Sequence, residues 1–559
     1  MFRLSLTSNQ SADGALAMDT VRKRRETRST WRGEWRPGCW VGARFLALGA
    51  LFPLALLLSG CQVGPDFVRP ASPSVTIYTP AKVAPNLTPG AGEPSQHLMV
   101  NQAIPIAWWR LFRSSTLDDL VQQAIAGSPT IEIAKFRLAQ AQQAAFESRG
   151  AYYPQIDAAA SAERQKGPPF AIGIRPSHDF PTFNLYSVGT VVSFVPDVFG
   201  LTARRVEQQQ ALAQNQAYQL AAARLAVTGN VVDQALIFAS ARQQFKALKA
   251  AIVADRKILA LARGKFAAGK IAMTGVLMAE TQLENDRALL PPIRQRVATA
   301  ADALAILVGK PSAVFSPPTF DLNDLTLPSE LPFSLPSVLV EQRPDILAAE
   351  ARLHAASAAV GVADAQMYPN FTLSTSIGTA ALATRSLGES PNLIWTLLGG
   401  LTMPIFHGGA LSAQKRAAID RFHAELAVYR QTVLVGLGQV ADLLQALGHD
   451  AELVRSERLA LDAADRMLAL QRRLYATGKT GLLPLLAAER SDQLQYVRYI
   501  QTKAQRFQDT AQLFVALGGG AWRRMGGAQP RSVDPTTLKR TPATTVNRAP
   551  HPSHFELTR

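Results

Sequence analysis

The chain has little of what a compact enzyme or a disulfide-stapled domain needs. Cysteine occurs twice in 559 residues, at Cys39 and Cys61. If the chain is cut before Cys61, the mature protein keeps one cysteine and forms no internal disulfide. The eight histidines are scattered, and no two sit at metal-ligand spacing with cysteine or carboxylate support, so no metal is expected. His407 and His423 read as polar surface residues. No Gly-x-Ser-x-Gly turn or other nucleophile constellation is present, and nothing calls for a cofactor or for an enzyme. Charged residues are 18% and aromatics 7%, a profile of long helices rather than of several compact cores. The apolar run Phe45–Leu58 is about 14 residues, short of the roughly 20 that span a bilayer.

The net charge of +16 is uneven: residues 1–60 and 521–559 carry +5 each, and the rest only +6. A basic leader and a basic tail account for that, and no nucleic-acid-binding motif accompanies the charge, so a nucleic-acid partner is not expected. Phe45–Leu58 follows Arg22–Arg25 and Arg44, as the core of a signal peptide does. Leu58-Ser59-Gly60-Cys61 then resembles a bacterial lipobox, in which the cysteine is acylated and becomes the new N-terminus. Gln62 in the next position is consistent with the outer membrane. Residues 1–60 are therefore expected to be a signal peptide, and 61–105, with seven prolines from Pro65 to Pro94, an extended lipid-anchored tether.

What the chain has in abundance is itself, twice. Ala134–Ala158 and Ala349–Leu373 match at a shift of 215, through Arg137-Leu138 with Arg352-Leu353 and Tyr153-Pro154 with Tyr368-Pro369. Arg263–Lys270 and Arg472–Lys479 match at a shift of 209, as do Ala279-Glu280 and Ala488-Glu489. Each copy reads helix, Tyr-Pro, two strands, long helices, which makes the duplication an architecture. The copies are placed at 106–310 and 341–518, with a Pro-rich joint at 311–340 and a basic, disordered tail at 519–559.

The strands are expected at about 154–163, 184–197, 368–379 and 393–406. They alternate: Phe371, Leu373, Thr375 and Ile377 oppose Thr372, Ser374 and Ser376, and Tyr186, Val188, Val192 and Phe194 oppose Ser187, Gly189 and Ser193. Strands of about ten residues edged by Tyr152, Tyr153, Tyr368, Trp395 and Phe406 suit a transmembrane barrel. Four strands cannot close one, and an open edge is not tolerated in lipid. Two copies would give a barrel filled by side chains; three would give twelve strands and a lumen.

Residues 200–310 and 409–517 each read as a helical hairpin with apolar residues at three- and four-residue spacing. Gly448-His449-Asp450 marks a plausible tip in the second. The shift of 209 places the first tip near Ala239 and Ser240. Gly269-Lys270 and Gly478-Lys479 read as local breaks that redirect the return legs; they lack the glycine pattern of a phosphate loop.

Several motifs resemble those of the outer membrane efflux protein family, the TolC-like channels, and most closely its lipoprotein branch that serves resistance-nodulation-division pumps. They are Trp108-Trp109-Arg110-Leu111-Phe112 with Leu117 and Leu120, Pro196-Asp197-Val198-Phe199-Gly200, Gln342-Arg343-Pro344-Asp345-Ile346, and Pro404-Ile405-Phe406-His407-Gly408-Gly409. In the last, His407 stands where the family has Asp or Asn. The resemblance covers about 105–518. It implies a mainly α homotrimer whose twelve-stranded barrel continues into an α-helical periplasmic tunnel, in contact with outer membrane lipid. It also implies two partners, a periplasmic adaptor and an inner-membrane efflux pump.

Under that resemblance Asp442, and Asp233 at the matching position, become candidates for an acidic ring at the narrow end of the tunnel. Ala239, Ser240, Gly448, His449 and Asp450 become candidate adaptor contacts. The expected function is the exit duct of a tripartite pump exporting small toxic compounds. The alternatives are the exit duct of a type I secretion system and a lipid-anchored coiled-coil protein without a pore.

Overall fold

The computed structural model describes residues 62–79, 86–87, 94–100, 102, 104–166 and 182–520. The signal segment, Cys61 and residues 521–559 lie outside them. The elements run in the order β1 (Asn86–Leu87), β2 (Gln96–Val100), α1 (Ser115–Gly127), α2 (Pro129–Gly150), β3 (Gln155–Lys166), β4 (Thr182–Phe194), α3 (Leu201–Ala267), α4 (Met273–Val308), β5 (Glu330–Phe333), α5 (Pro336–Gln342), α6 (Pro344–Ala365), β6 (Asn370–Ala381), β7 (Leu393–Thr402), α7 (Ala410–Ala476) and α8 (Leu482–Ala516).

The repeat governs these bounds. Shifting α2 and β3 by 215 gives α6 and β6 to the residue, and shifting α3 by 209 gives α7. The change of shift falls in the loops between paired strands. Each long helix has 67 residues and spans about 100 Å; the return helices α4 and α8 have 36 and 35, about 53 Å. The mismatch in length is made up end to end. Gly309, just past α4, lies so close to Gly127 that an added Cβ would sit 2.1 Å from the Gly127 carbonyl oxygen. Gly518, just past α8, would meet the Gln342 oxygen at 3.1 Å. The short helices α2 and α4 thus abut beside α3, and α6 and α8 abut in the second repeat.

Left-handed glycines recur at the shift of 209: Gly200 and Gly409, Gly269 and Gly478, Gly309 and Gly518. The last two pairs close Schellman turns. Lys310 N donates to the Ala305 carbonyl at 2.9 Å and Gly519 N to that of Phe514 at 2.9 Å, which satisfies carbonyls left over at the helix ends.

Two corrections to the sequence reading concern the connections. Residues 62–79 do not trail as a free tether; they run along the helices, as described below. The Pro-rich joint also holds structure, because β5 pairs in parallel with β2, which pairs antiparallel with β1. This small sheet lies over the main core. There Trp108 and Phe112 are buried against Phe514 and Phe507, with Leu117, Leu120, Leu236, Leu304 and Leu444. The family-like Trp108–Phe112 segment is therefore a plug that fastens α1 to α8. Trp109 Nε1 donates to Asp118 at 2.8 Å and orients it.

The apolar helix α6 is almost wholly buried between α3 and α7. Its small residues let the neighbouring backbones approach closely. Its charged groups find partners at the margins, Glu350 with Arg69 and Asp364 with Lys415.

Candidate functional site

The four long strands form one antiparallel sheet in the order β3-β4-β6-β7. Residues paired across strands share a face, so the register assigns the faces. One carries Ile156, Val188, Val192, Phe194, Leu373, Ile377, Trp395, Leu397 and Leu401. The other carries Asp157, Ser161, Ser187, Gly189, Ser193, Ser374, Ser376, Gly378, Thr372 and Gly400, with Leu185, Val191, Ile394 and Leu398 among them. On the polar face the Ser161 and Ser187 hydroxyls are 2.8 Å apart. Gly189 opposes Gly378, where a Cβ would meet the Ile377 carbonyl oxygen at 2.8 Å.

Most of this sheet is exposed, Trp395 to 72% and Leu401 to 62%. Among the described residues β3 and β7 each leave one edge unpaired. An apolar face, a more polar face and two open edges describe an arc of a membrane barrel, not a soluble sheet, which would cover its apolar side.

The family-like turns fasten this arc to the helices. Asp197 accepts from the backbone amides of Thr202 at 2.9 Å and Ala203 at 2.7 Å, and so satisfies two orphan donors at the start of α3. Gly200 supplies the left-handed residue between them. At the second such turn Gly408 and Gly409 are left-handed. There Ile405 and Phe406 stand 94% and 86% exposed, and no side chain caps α7.

Arg343 explains the Arg-Pro-Asp motif. Its buried guanidinium donates to the Ala516 carbonyl at 2.8 Å, to Gln439 Oε1 at 2.8 Å and to Asp345 Oδ2 at 2.7 Å. One side chain thereby ties the end of α8, the middle of α7 and the start of α6. Pro344 sits in the first turn of α6, where its missing N–H costs nothing.

The segment after Cys61 is docked at the barrel end of α3. Val63 N donates to the Phe199 carbonyl at 3.2 Å. Arg204, 2% exposed, donates to the carbonyls of Val63 and Gly64 at 3.1 Å each and pairs with Asp66 at 2.8 Å and Glu207 at 2.8 Å. Phe67 stacks on His354 with ring centroids 4.5 Å apart, and Arg69 pairs with Glu350 at 2.7 Å. Residues from Gln62 onward therefore form a strap held beside the strand-to-helix turn.

At the far end the hairpins turn at 268–272 and 477–481, between α3 and α4 and between α7 and α8. Lys270 N donates to Lys265 O at 2.8 Å and Lys479 N to Leu474 O at 2.8 Å. Arg263–Glu280 and Arg472–Glu489 are ion pairs at 3.3 Å across each turn. Lys265 Nζ lies 3.7 Å from the Tyr475 ring centroid and links the two tips. Beneath, Ile252, Leu259, Leu283, Leu468 and Leu485 form a second core. Lys270 and Lys479 are exposed.

This overturns the expected tips. Ala239 and Ser240 are buried in the middle of α3, and Gly448, His449 and Asp450 lie in the middle of α7. A glycine costs an isolated helix about 1 kcal/mol; here Leu447 and Ala451 are buried on either side of Gly448 and carry the helix through. The repeated Gly-Lys sites were the available signal, and they are the turns.

The same correction moves the candidate gate. Asp442 and Asp233 each lie 34 residues before the end of their helix, about 50 Å from the tips, not two turns away. Asp442 is exposed. Asp233 is partly buried and accepts from Gln508 Nε2 at 3.0 Å. Burial pushes its carboxyl up, with Asp509 adding to the rise and Gln508 opposing it.

The comparisons with known proteins agree with this geometry. The family described as outer membrane efflux protein matches residues 120–310 and 335–519. The chain is 29% identical over 418 residues to the pyoverdine export outer membrane protein OpmQ of Pseudomonas aeruginosa, covering 74% of this chain and 87% of that protein. It is 28% identical over 474 residues to the outer membrane protein OprJ of the same organism, covering 84% and 94%. Among solved structures it is similar to the outer-membrane channel OprN, with TM-score 0.73 and 26% identity, covering 82% of this chain and 99% of that one. The Campylobacter jejuni CmeC channel shares the fold with TM-score 0.72 at 21% identity, covering 82% and 95%.

Proposed function

Because the chain belongs to the outer membrane efflux protein family, we propose that three copies of it form the exit duct of a tripartite pump. They pair through the free edges of β3 and β7 into a twelve-stranded barrel. The carrying observation is the exposed four-stranded sheet, with one apolar and one polar face and two open edges, continuous with helices about 100 Å long. The apolar face meets lipid, the polar face lines the lumen, and the hairpins cross the periplasm.

Cys61 is the lipidated residue in this reading, and the strap held by Arg204 sets its acyl chains beside the barrel rim. The inward-pointing tips at 268–272 and 477–481 are where a periplasmic adaptor docks, with Lys270 and Lys479 presented first. The adaptor in turn delivers cargo from an inner-membrane pump. Cargo is of the small-molecule class, in keeping with relatives named for pyoverdine export, toluene efflux and solvent efflux.

An acidic ring formed by Asp442 belongs to the middle of the tunnel. At the narrow end the acids that α7 offers are Asp462 and Asp465, the latter exposed. The test is conductance in planar bilayers, together with drug accumulation in cells lacking their own duct. Trimer-sized channels and restored export support the duct. A protein without conductance supports a non-porous coiled coil, and co-purification with an ATP-driven exporter supports type I secretion.

A further inference from the structure

We propose that Asp255, Asp286 and Arg490 form a proton-operated latch that binds the first hairpin to the return helix of the second near the periplasmic tips, closed when Asp255 carries a proton. The latch rests on the duct reading only in that opening the duct moves the hairpins apart.

The geometry carries it. Asp255 lies 12 residues before the end of α3, Asp286 lies in the first half of α4, and Arg490 projects from α8. Asp286 is 0% exposed and Asp255 only 4%, within a single chain, so assembly cannot expose them further. Arg490 Nη1 donates to Asp286 Oδ1 at 3.0 Å, and Gln282 Nε2 donates to Asp286 Oδ2 at 3.2 Å. Asp286 thus has a donor on each of its oxygens. Asp255 Oδ2 is buried without a donor, and the Asp255 carboxyl faces that of Asp286. Two facing carboxylates in so dry a site repel unless one holds a proton, and Asp255, with the undonated oxygen, is the one placed to hold it.

The remaining charged group facing Asp255 is Glu489 of α8, which is itself paired with Arg472 of α7 at 3.3 Å. With Asp255 protonated, the joint holds one buried anion against one cation. Without that proton it holds two anions against the same arginine in a nearly dry site, and their repulsion pushes α3 from α4 and α8.

Burial first, then Asp286 and Glu489, push the Asp255 carboxyl up to about 7, with Arg490 opposing. A carboxyl raised in the packed state above its free value favours that state most at low pH. The preference falls as pH rises from the ordinary carboxylate range, and the loss is complete above about 7. The latch therefore loosens as the periplasm becomes less acidic. The composition recurs nearer the middle of the second hairpin. There Asp450, 8% exposed with an oxygen lacking a donor, faces Asp509 and Arg506 of α8. At the positions matching the latch by the shift of 209 stand Ala464 and Gln495, so it is not part of the duplicated plan.

The test uses the full-length protein in lipid, read by hydrogen exchange and infrared titration, neither of which needs a conducting pore. Exchange over 248–262, corrected for intrinsic rate, should rise about tenfold between about pH 5 and pH 8 in the wild type. In Asp255→Asn, whose amide donates permanently, it should stay at the low-pH level, and one protonated-carboxyl band should vanish. Asp286→Asn should move the midpoint down by about one pH unit or more, because Asp255 then has Arg490 to itself. Asp450→Asn should leave this segment's pH dependence intact. An unchanged pH profile in Asp255→Asn, or no band lost, overturns the latch whether or not the protein conducts.

Discussion

At the barrel end, the two hairpins begin alike in backbone and differently in chemistry. The first helix, α3, starts with Asp197 bonded to its amides and Arg204 buried under the strap. The second, α7, starts bare, behind exposed Ile405 and Phe406. At the helix-to-helix abutment the asymmetry reverses. Arg343 ties three helices in the second repeat, while the matching position in the first, at a shift of 215, is Ser128. The lesson is that duplication conserved what the backbone requires, left-handed glycines and helix lengths, and left side-chain fastening to diverge.

The largest test of that contrast is at the abutments. Arg343→Ala should cost about 3 kcal/mol, because it strips charge-assisted bonds from buried carbonyls. Ser128→Ala should cost well under about 1 kcal/mol, since that side chain caps nothing. Thermal unfolding of the purified protein reads both, and equal shifts would remove the asymmetry. Next come the glycines. Gly309→Ala and Gly518→Ala both force a Cβ into a left-handed position, at about 1–2 kcal/mol. Gly309→Ala should be the worse, because it also meets the Gly127 carbonyl.

A smaller effect is expected at the barrel end. Asp197→Ala should cost about 1 kcal/mol and bring hydrogen exchange in the first turn of α3 up to the level of the uncapped α7. Smallest for stability, within about 0.5 kcal/mol, are Lys270→Glu and Lys479→Glu on the exposed tips. Their effect should be on adaptor binding, measured by surface capture. A loss of stability in place of a loss of binding would show that the tips are internal braces.

The sequence made much of this fold legible because the strands alternate and the order of elements repeats. Tyr-Pro at 153–154 and 368–369 marks where helix gives way to strand, and the register places Phe371, Leu373 and Ile377 as the alternation requires. The turns were misread because Gly448-His449-Asp450 carries stronger local turn chemistry than Ala-Gly-Lys at 268–270. Burial of Leu447, Asp450 and Ala451 outweighs it. The candidate gate moved with the tips. The prolines of 62–79 indicate an extended tether but not its docking, because the side chain that docks it, Arg204, lies 140 residues away. Asp255 and Asp286 belong to no motif; only packing brings together two acids 31 positions apart.

In the proposed duct the far end closes at 268–272 and 477–481. Lys270→Cys with Lys479→Cys, reconstituted in a planar bilayer and bridged by a bifunctional thiol reagent, tests it directly. Channels should conduct before bridging and fall silent after it, while the same treatment of a cysteine replacing the mid-helix His449 should have no effect. Conductance indifferent to bridging at the tips, but blocked from position 449, would contradict it.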